Sequence, residues 1–280
     1  SARATLKATY DQILSDFGPA SPLLTKDEND GYINYWAALA LRARVYLYNG
    51  NNDLALADAQ EVIKDSPYKL YTMEEYATVW DKEFTNESIF EIRVTTNYNA
   101  QRNSVGYYCD SDCYGECAFV EEAPLYTYLV ANPQDVRSKL INDQTAGLNP
   151  GYYPAKYPGR EGSIYVNNPK IMRLSDVYLM AAEAALKETE DAVGYINTLR
   201  KNRIEGYTDV AAVTLDDILF ERRVELFAEN SMAFDYWRNK KSVKNFYVGE
   251  VNYNDYRTIL PIPQDEINLA PDVLKQNPEY

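Results

Sequence analysis

The spacing of small residues across positions 32–67 leaves few folds open to this chain. Two segments, 32–48 and 53–64, carry apolar residues at helical period, and Asn49, Gly50, Asn51 and Asn52 form a turn between them. Ala43 and Ala55 face each other across that turn, so two helix backbones can approach closely, and Pro67 ends the second helix. A second pair at 173–186 and 191–203 repeats the arrangement with a shorter turn.

Ala43, Tyr46, Gly50, Ala55, Ala59 and Pro67 fall at offsets 8, 11, 15, 20, 24 and 32 of a repeat of about 34 residues, and the unit resembles a tetratricopeptide hairpin. One or two such hairpins cannot bury their own faces, so distant segments must stack on each other. The expected class is mainly α: tetratricopeptide-like helical repeats with a loop-rich capping region and a few short strands. A single domain over 1–280 would comprise helices in 1–87, a strand and tyrosine-rich loops in 88–170, and further helices in 171–280. Residues 3–17 already read as an amphipathic helix ended by Gly18-Pro19, with no apolar leader before it. Further residues are expected upstream.

Residues 214–238, TLDDILFERRVELFAENSMAFDYWR, form the densest charged motif. Thr214 and Asp217 have capping-box spacing, and Leu215, Ile218, Leu219 and Leu226 lie on one face. Arg222 falls on that stripe with Glu221, Glu225 and Glu229 within a turn of it or of each other, and a buried guanidinium needs a carboxylate partner. Glu221, Arg222, Glu225, Asp235 and Arg238 are therefore expected to form structural ion pairs at a helix junction, with Asn230 ending one helix and residues 232–238 beginning the next. An acid–base pair of Glu221 and Glu225 is disfavoured, because glycosidase carboxylates usually face a cleft from separate elements.

The chain has no histidine among its 280 residues, which removes Ser-His and Cys-His nucleophiles and His-ligated zinc together. No glycine loop of the phosphate-binding kind is present either, so an enzyme is not expected. A net charge of -14 opposes binding to nucleic acid. No apolar run approaches the ~20 residues of a membrane span.

Tyrosine is over-used, with 26 residues against 8 Phe and 3 Trp. Many of these rings lie in residues 97–169, between a strand expected at 88–95 and the later helices, with one short helix expected at 124–130. Tyr98, Asn99, Arg102, Tyr107 and Tyr108 occur in NYNAQRNSVGYY, and Tyr152, Tyr153 and Tyr157 beside Lys156 and Arg160 in NPGYYPAKYPGR. A stacking ring beside Asn and Arg donors suits a sugar, which offers an apolar face rimmed by hydroxyls, so these tyrosines, Asn99 and Arg102 are the candidate ligand contacts. The competing role for each tyrosine is to pin a long loop onto the helices. Cys109, Cys113 and Cys117 lie within CDSDCYGEC; one disulfide with an odd thiol is the simplest reading outside the cytoplasm. Asp110, Asp112 and Glu116 offer oxygen atoms for calcium, though not at EF-hand spacing, and no other cofactor is expected.

The combination of Glu221-Arg222, Glu225-Leu226, Glu229, Asp235 and Arg238 resembles the C-terminal signature of the SusD/RagB family of surface nutrient-binding lipoproteins. YDQILSDFGPASPLL from Tyr10, AALALRARVYLY from Ala37, SIFEI from Ser88, RLSDVYLMAAEAAL from Arg173, INTLRKNR from Ile196 and the closing LPIPQDEINLAPDVLKQNPEY agree with it. The family usually has Gly at the position of Asn230, Arg at that of Met232 and Gly at that of Glu279. The resemblance implies a helical-repeat fold with the ligand site in the loop-rich region. It also implies a non-catalytic protein of the outer membrane that captures oligosaccharide, or in some members peptide, for a SusC-like TonB-dependent transporter. Contact with the membrane would be through a lipid anchor on an N-terminal part absent from this sequence. A helical scaffold for a protein partner is the alternative of a different class.

Overall fold

The computed structural model describes residues 3–28, 30–229, 232–245 and 248–280. It is mainly helical, with three two-stranded sheets among the described residues. The longer helices are α1 (Leu6–Ala20), α2 (Tyr35–Asn49) and α3 (Asn52–Asp65), followed by the short α4 (Met73–Tyr76), α5 (Val105–Tyr108) and α6 (Pro124–Ala131). The later helices are α7 (Leu174–Lys187), α8 (Val193–Lys201), α9 (Leu215–Glu225), α10 (Met232–Arg238) and α11 (Gln264–Leu269). Ala20–Asn230 form one compact unit, and Ser1–Pro19 with Ser231–Tyr280 a second.

The larger unit is built on the helical hairpin expected from the sequence. Asn34 caps α2 through its side-chain oxygen on the Ala37 amide at 2.8 Å, so the helix begins at Tyr35 rather than at residue 32. Gly50 ends it in the left-handed region at φ +82°, which a glycine adopts without steric penalty. Ala43, Ala55 and Ala59 are fully buried and let α2 and α3 pack closely. α3 in turn packs on α7, and α7 on α8 and α9. Leu47, Val62, Leu179, Met180, Leu199 and Ile218 fill the shared core, each buried side chain contributing about 1.5–3 kcal/mol.

Capping sets several boundaries. Thr214 and Asp217 form the expected capping box, each side chain bonded to the other's backbone amide at 3.2 and 2.7 Å. α9 stops at Glu225, short of the expected end at Asn230, a position outside the described residues. Beyond it Ala228 takes a positive φ of 60°, which a continuing helix cannot contain. α1 runs to Ala20, past the expected stop, because a proline in the last turn removes only one amide bond.

β1 (Ser88–Glu91) pairs antiparallel with β4 (Lys170–Arg173) and is shorter than the expected 88–95. Ile92 still donates to the Pro169 carbonyl at 3.2 Å, but Pro169 has no amide to return the bond and the ladder ends. β2 (Ile141–Asp143) pairs with β3 (Tyr152–Pro154) beneath the loops. There a second core of Tyr71, Tyr76, Trp80, Leu129, Val224 and Phe227 supports the tyrosine-rich region.

In the smaller unit, β5 (Val243–Asn245) and β6 (Gly249–Val251) make a hairpin, and Trp237 of α10 donates to the Val251 carbonyl at 3.2 Å. Asp235 and Arg238 pair with each other at 2.8 Å, three residues apart.

Candidate functional site

The tyrosine-rich loops are held from below by a buried ionic network. Arg173 reaches Glu87 at 2.5 Å, Glu229 at 2.7 Å and Glu225 at 2.8 Å. Arg203 bridges Glu87 and Glu225, Arg137 bridges Asp135 and Glu221, and Arg200 reaches Glu221 from the outer side. With Lys156 on Glu229 at 2.5 Å, five cations (Arg137, Lys156, Arg173, Arg200, Arg203) meet five carboxylates (Glu87, Asp135, Glu221, Glu225, Glu229). That balance is what allows so many charges to be desolvated at once.

The pairing within this network differs from the expected one. Successive helical residues point about 100° apart, so Glu221 and Glu225 face the arginines of other elements, while Arg222 turns to Asp176 of α7 at 2.9 Å. Burial alone would raise the Glu225 carboxyl, but Arg203, Arg173 and Arg137 hold it well below the usual carboxylate range. Burial and then Arg173 and Lys156 act on Glu229 in the same opposed way, with a net lowering. Burial pulls Lys156 down to about 8 despite its partner Glu229, and its ammonium lies 4.1 Å from the Phe227 ring centre and 4.8 Å from that of Trp80.

These charges also anchor the loops. Lys156 donates to the Glu225 carbonyl at 2.8 Å, and the Tyr157 hydroxyl donates to the Ala228 carbonyl at 2.7 Å. The segment after β3 is thereby tied to the end of α9. Arg160 donates to Glu83, to the Val94 carbonyl and to Asn168, closing the same segment over the end of β1.

Above this base sits a cluster of four tyrosines. Ser104 caps α5, and Gly106 lies buried against the segment that follows Arg160. A Cβ at Gly106 would lie 2.4 Å from the Ile164 carbonyl oxygen and 2.5 Å from the Asn167 amide, so only glycine permits this approach. The contact sets Tyr107 beside Tyr165 at 5.6 Å between ring centres and edge-on to Tyr114 at 4.7 Å, with Tyr108 5.2 Å from Tyr114. A cavity of about 160 Å³ opens between Tyr157 and Tyr165, lined also by Asn103, Ser104, Val105, Asn167 and Pro169. A separate aromatic group joins Phe119, Tyr126 and Tyr152, with Tyr126 and Tyr152 5.4 Å apart.

The sequence candidates divide between surface and interior. Tyr98 is 82% exposed, Arg102 is exposed, and Tyr107, Tyr108 and Tyr152 are half-buried. Asn99 is used within its own loop, donating to the Thr95 and Thr96 carbonyls and accepting from the Gln101 amide. Tyr153 and Tyr157 are placed differently, and Tyr157 also lines the cavity. They are 1% and 8% exposed, and their hydroxyls bond backbone carbonyls, so they are the pins that hold the loops down. Tyr114, Tyr126 and Tyr165 carry little sequence signal, because loop residues have no period from which exposure can be read. The proximity of Tyr114 to the YY pair in sequence was the one available sign.

The three cysteines are thiols. Asp110 accepts the Asp112 amide at 2.9 Å and Asp112 accepts the Leu148 amide at 3.0 Å, so two of the three calcium candidates serve the loop backbone. Glu116 is exposed beside them, and among the described residues no group of three or more His, Cys, Asp or Glu side chains is arranged to hold a metal.

The SusD family model matches residues 7–280. A SusD superfamily protein from Bacteroides thetaiotaomicron superposes with a TM-score of 0.86 at 33% identity, over 99% of this chain and 67% of that one. Another from Bacteroides vulgatus gives a TM-score of 0.89 at 32% identity, over 100% and 67%. A laminarin-binding SusD-like protein gives 0.74 at 27% identity, over 99% and 70%. The chain thus spans about two thirds of the length of the first two structures. Comparison with curated proteins found no match.

Proposed function

The chain belongs to the SusD family, and from that premise we propose that it binds a nutrient oligosaccharide at the cell surface without altering it chemically and delivers it to a SusC-like TonB-dependent transporter. The observation that carries the reading is the cluster of Tyr107, Tyr108, Tyr114 and Tyr165 beside a small cavity edged by Asn103. Tyrosine faces stack on the C–H face of a sugar ring, while hydroxyl, amide and the nearby Arg102 guanidinium suit its rim. The cavity accommodates only a small part of an oligosaccharide, so the remaining rings would lie across the open tyrosines.

A non-catalytic role accords with the carboxylates. Glu221 and Glu225 are 3% and 0% exposed and engaged by arginines, so neither can present an acid or base to a substrate. An outer-membrane location through a lipid anchor belongs to the same reading; no helix among the described residues is long and apolar enough to cross a membrane.

Isothermal titration against laminarin, other glucans, host and plant glycans and mixed peptides tests the ligand class. The laminarin-binding relative makes laminarin the first choice. Saturable heat with a glycan, lost in Tyr107→Ala, is expected; silence across all glycans with binding to peptides would overturn the sugar reading. Co-purification with the transporter from the outer membrane tests delivery.

A further inference from the structure

Cys109 and Cys117 meet at the base of the loop that carries Tyr114. Cys109 follows α5, its amide donating to the Val105 and Gly106 carbonyls at 3.0 and 3.2 Å. The chain then turns back through Gly115, at φ +62°, where a Cβ would lie 2.5 Å from that of Asn149. The amides of Glu116 and Cys117 both donate to the Tyr108 carbonyl, at 3.0 and 3.1 Å. This returns Cys117 to the residue before Cys109 and makes the two thiols neighbours. Cys113 has different surroundings. Its amide donates to the Asp110 carbonyl at 3.1 Å, and the groups around its thiol are Asp110, Asp112 and Arg102.

We propose that Cys109 and Cys117 are a disulfide-forming pair, closed by exchange with a donor disulfide, and that Cys113 stays a thiol. The inference stands on the chain's own geometry and does not depend on the ligand reading. Cys117 is half-buried and Cys109 buried, so the donor reaches Cys117 first. Interaction with Cys109 also lowers the Cys117 thiol's pKa, whereas Cys117 and burial raise that of Cys109, which makes Cys117 the attacking thiolate. Having lost its proton to solvent, Cys117 attacks one sulfur of the donor, breaking its S–S bond and releasing one donor thiolate. That thiolate takes the Cys109 proton. Cys109 then attacks the Cys117 sulfur, the mixed disulfide breaks, and the second donor thiolate leaves and is protonated from solvent. Two protein thiols are oxidised to one disulfide, and one donor disulfide is reduced to two thiols. The closed ring fixes the loop that sets Tyr114 against Tyr107 and Tyr108.

The test is to treat the whole chain with oxidised glutathione, alkylate remaining thiols, digest on the N-terminal side of Asp and the C-terminal side of Glu, and map cross-links by mass spectrometry. Cleavage before Asp110 and after Glu116 puts the three cysteines on separate peptides. The expected product joins the Cys109 and Cys117 peptides and leaves Cys113 alkylated. Cys113→Ser should cross-link as the parent does and melt higher oxidised than reduced, while Cys117→Ser should show neither effect. A cross-link that includes Cys113, a Cys117–glutathione adduct that never resolves, or loss of the link in Cys113→Ser would each overturn the proposal.

Discussion

Arg173 and Glu225 are joined at 2.8 Å, Nη1 to Oε1, where neither side chain touches solvent. Arg173 also holds Glu87 and Glu229, and Glu225 also receives Arg203, so the pair links β4, α9, the residue before β1 and the loop after α9. Removing one member strands a buried charge, which costs far more than the pair gains over an apolar substitute. Glu225→Gln should therefore lose roughly 3–5 kcal/mol of stability in urea unfolding. Lys201→Ala removes a pair whose side chains are 54% and 51% exposed, and should change stability by no more than about 0.5 kcal/mol. Equal losses in the two variants would refute the ranking.

Acid should unfold the protein through the same carboxylates. Glu225, Glu229 and Glu91 each have a folded pKa below the model-peptide value of 4.5. For a depressed carboxylate, the stabilisation is fully present above the unfolded pKa and is lost as pH falls through the folded one. Thermal midpoints should accordingly be flat near neutrality and drop progressively below about pH 4.5. In Glu225→Gln the acid slope should be shallower, and an unchanged slope would argue against this assignment.

Lys156 acts with the opposite outcome on the alkaline side. Its folded pKa is about 8, against 10.5 for an ordinary lysine. Between those values the unfolded state binds the extra proton, so this group adds stability as pH rises from about 8 to 10.5. Lys156→Met should remove that upward contribution, measured as the difference between the two proteins in unfolding free energy across the window.

Local chemistry was legible in the sequence where one short segment contains the whole cause. The Thr214–Asp217 box, the alanines of α2 and α3 and the Gly50 stop all depend on neighbours within a helix or a turn. The partners of Glu225 were not legible, because Arg137, Arg173 and Arg203 are brought to it by tertiary packing from 88, 52 and 22 residues away. The tyrosines show the same limit. Tyr107 and Tyr157 both lie in tyrosine-rich loops, yet one is half-buried and the other is buried with its hydroxyl on the Ala228 carbonyl.

Gly106 should be intolerant of any side chain. The Ile164 carbonyl, 2.4 Å from a built Cβ, is backbone and cannot swing aside. Gly106→Ala should cost about 1–3 kcal/mol and displace α5 from the Ile164 segment. Because Tyr107 follows directly, its contact with Tyr165 would be lost as well, and any glycan affinity should fall with it. Stability and affinity unchanged together would show that the segment adapts.

Tyr107 and Tyr157 separate the two uses of tyrosine most directly. Tyr107 stands in the cluster and is only half-buried, so Tyr107→Ala should weaken glycan binding about tenfold, or ~1.4 kcal/mol, with little loss of stability. Tyr157 is buried and donates to the Ala228 carbonyl at 2.7 Å, so Tyr157→Phe leaves that acceptor unpaired and should cost about 1–2 kcal/mol of stability. Its affinity for ligand, measured well below the melting temperature, should stay within about twofold of the parent, well under the 1.4 kcal/mol that marks a tenfold change. The opposite pattern, with Tyr157→Phe losing binding and Tyr107→Ala losing stability, would refute this division of roles and place the ligand in the cavity against Tyr157 rather than on Tyr107.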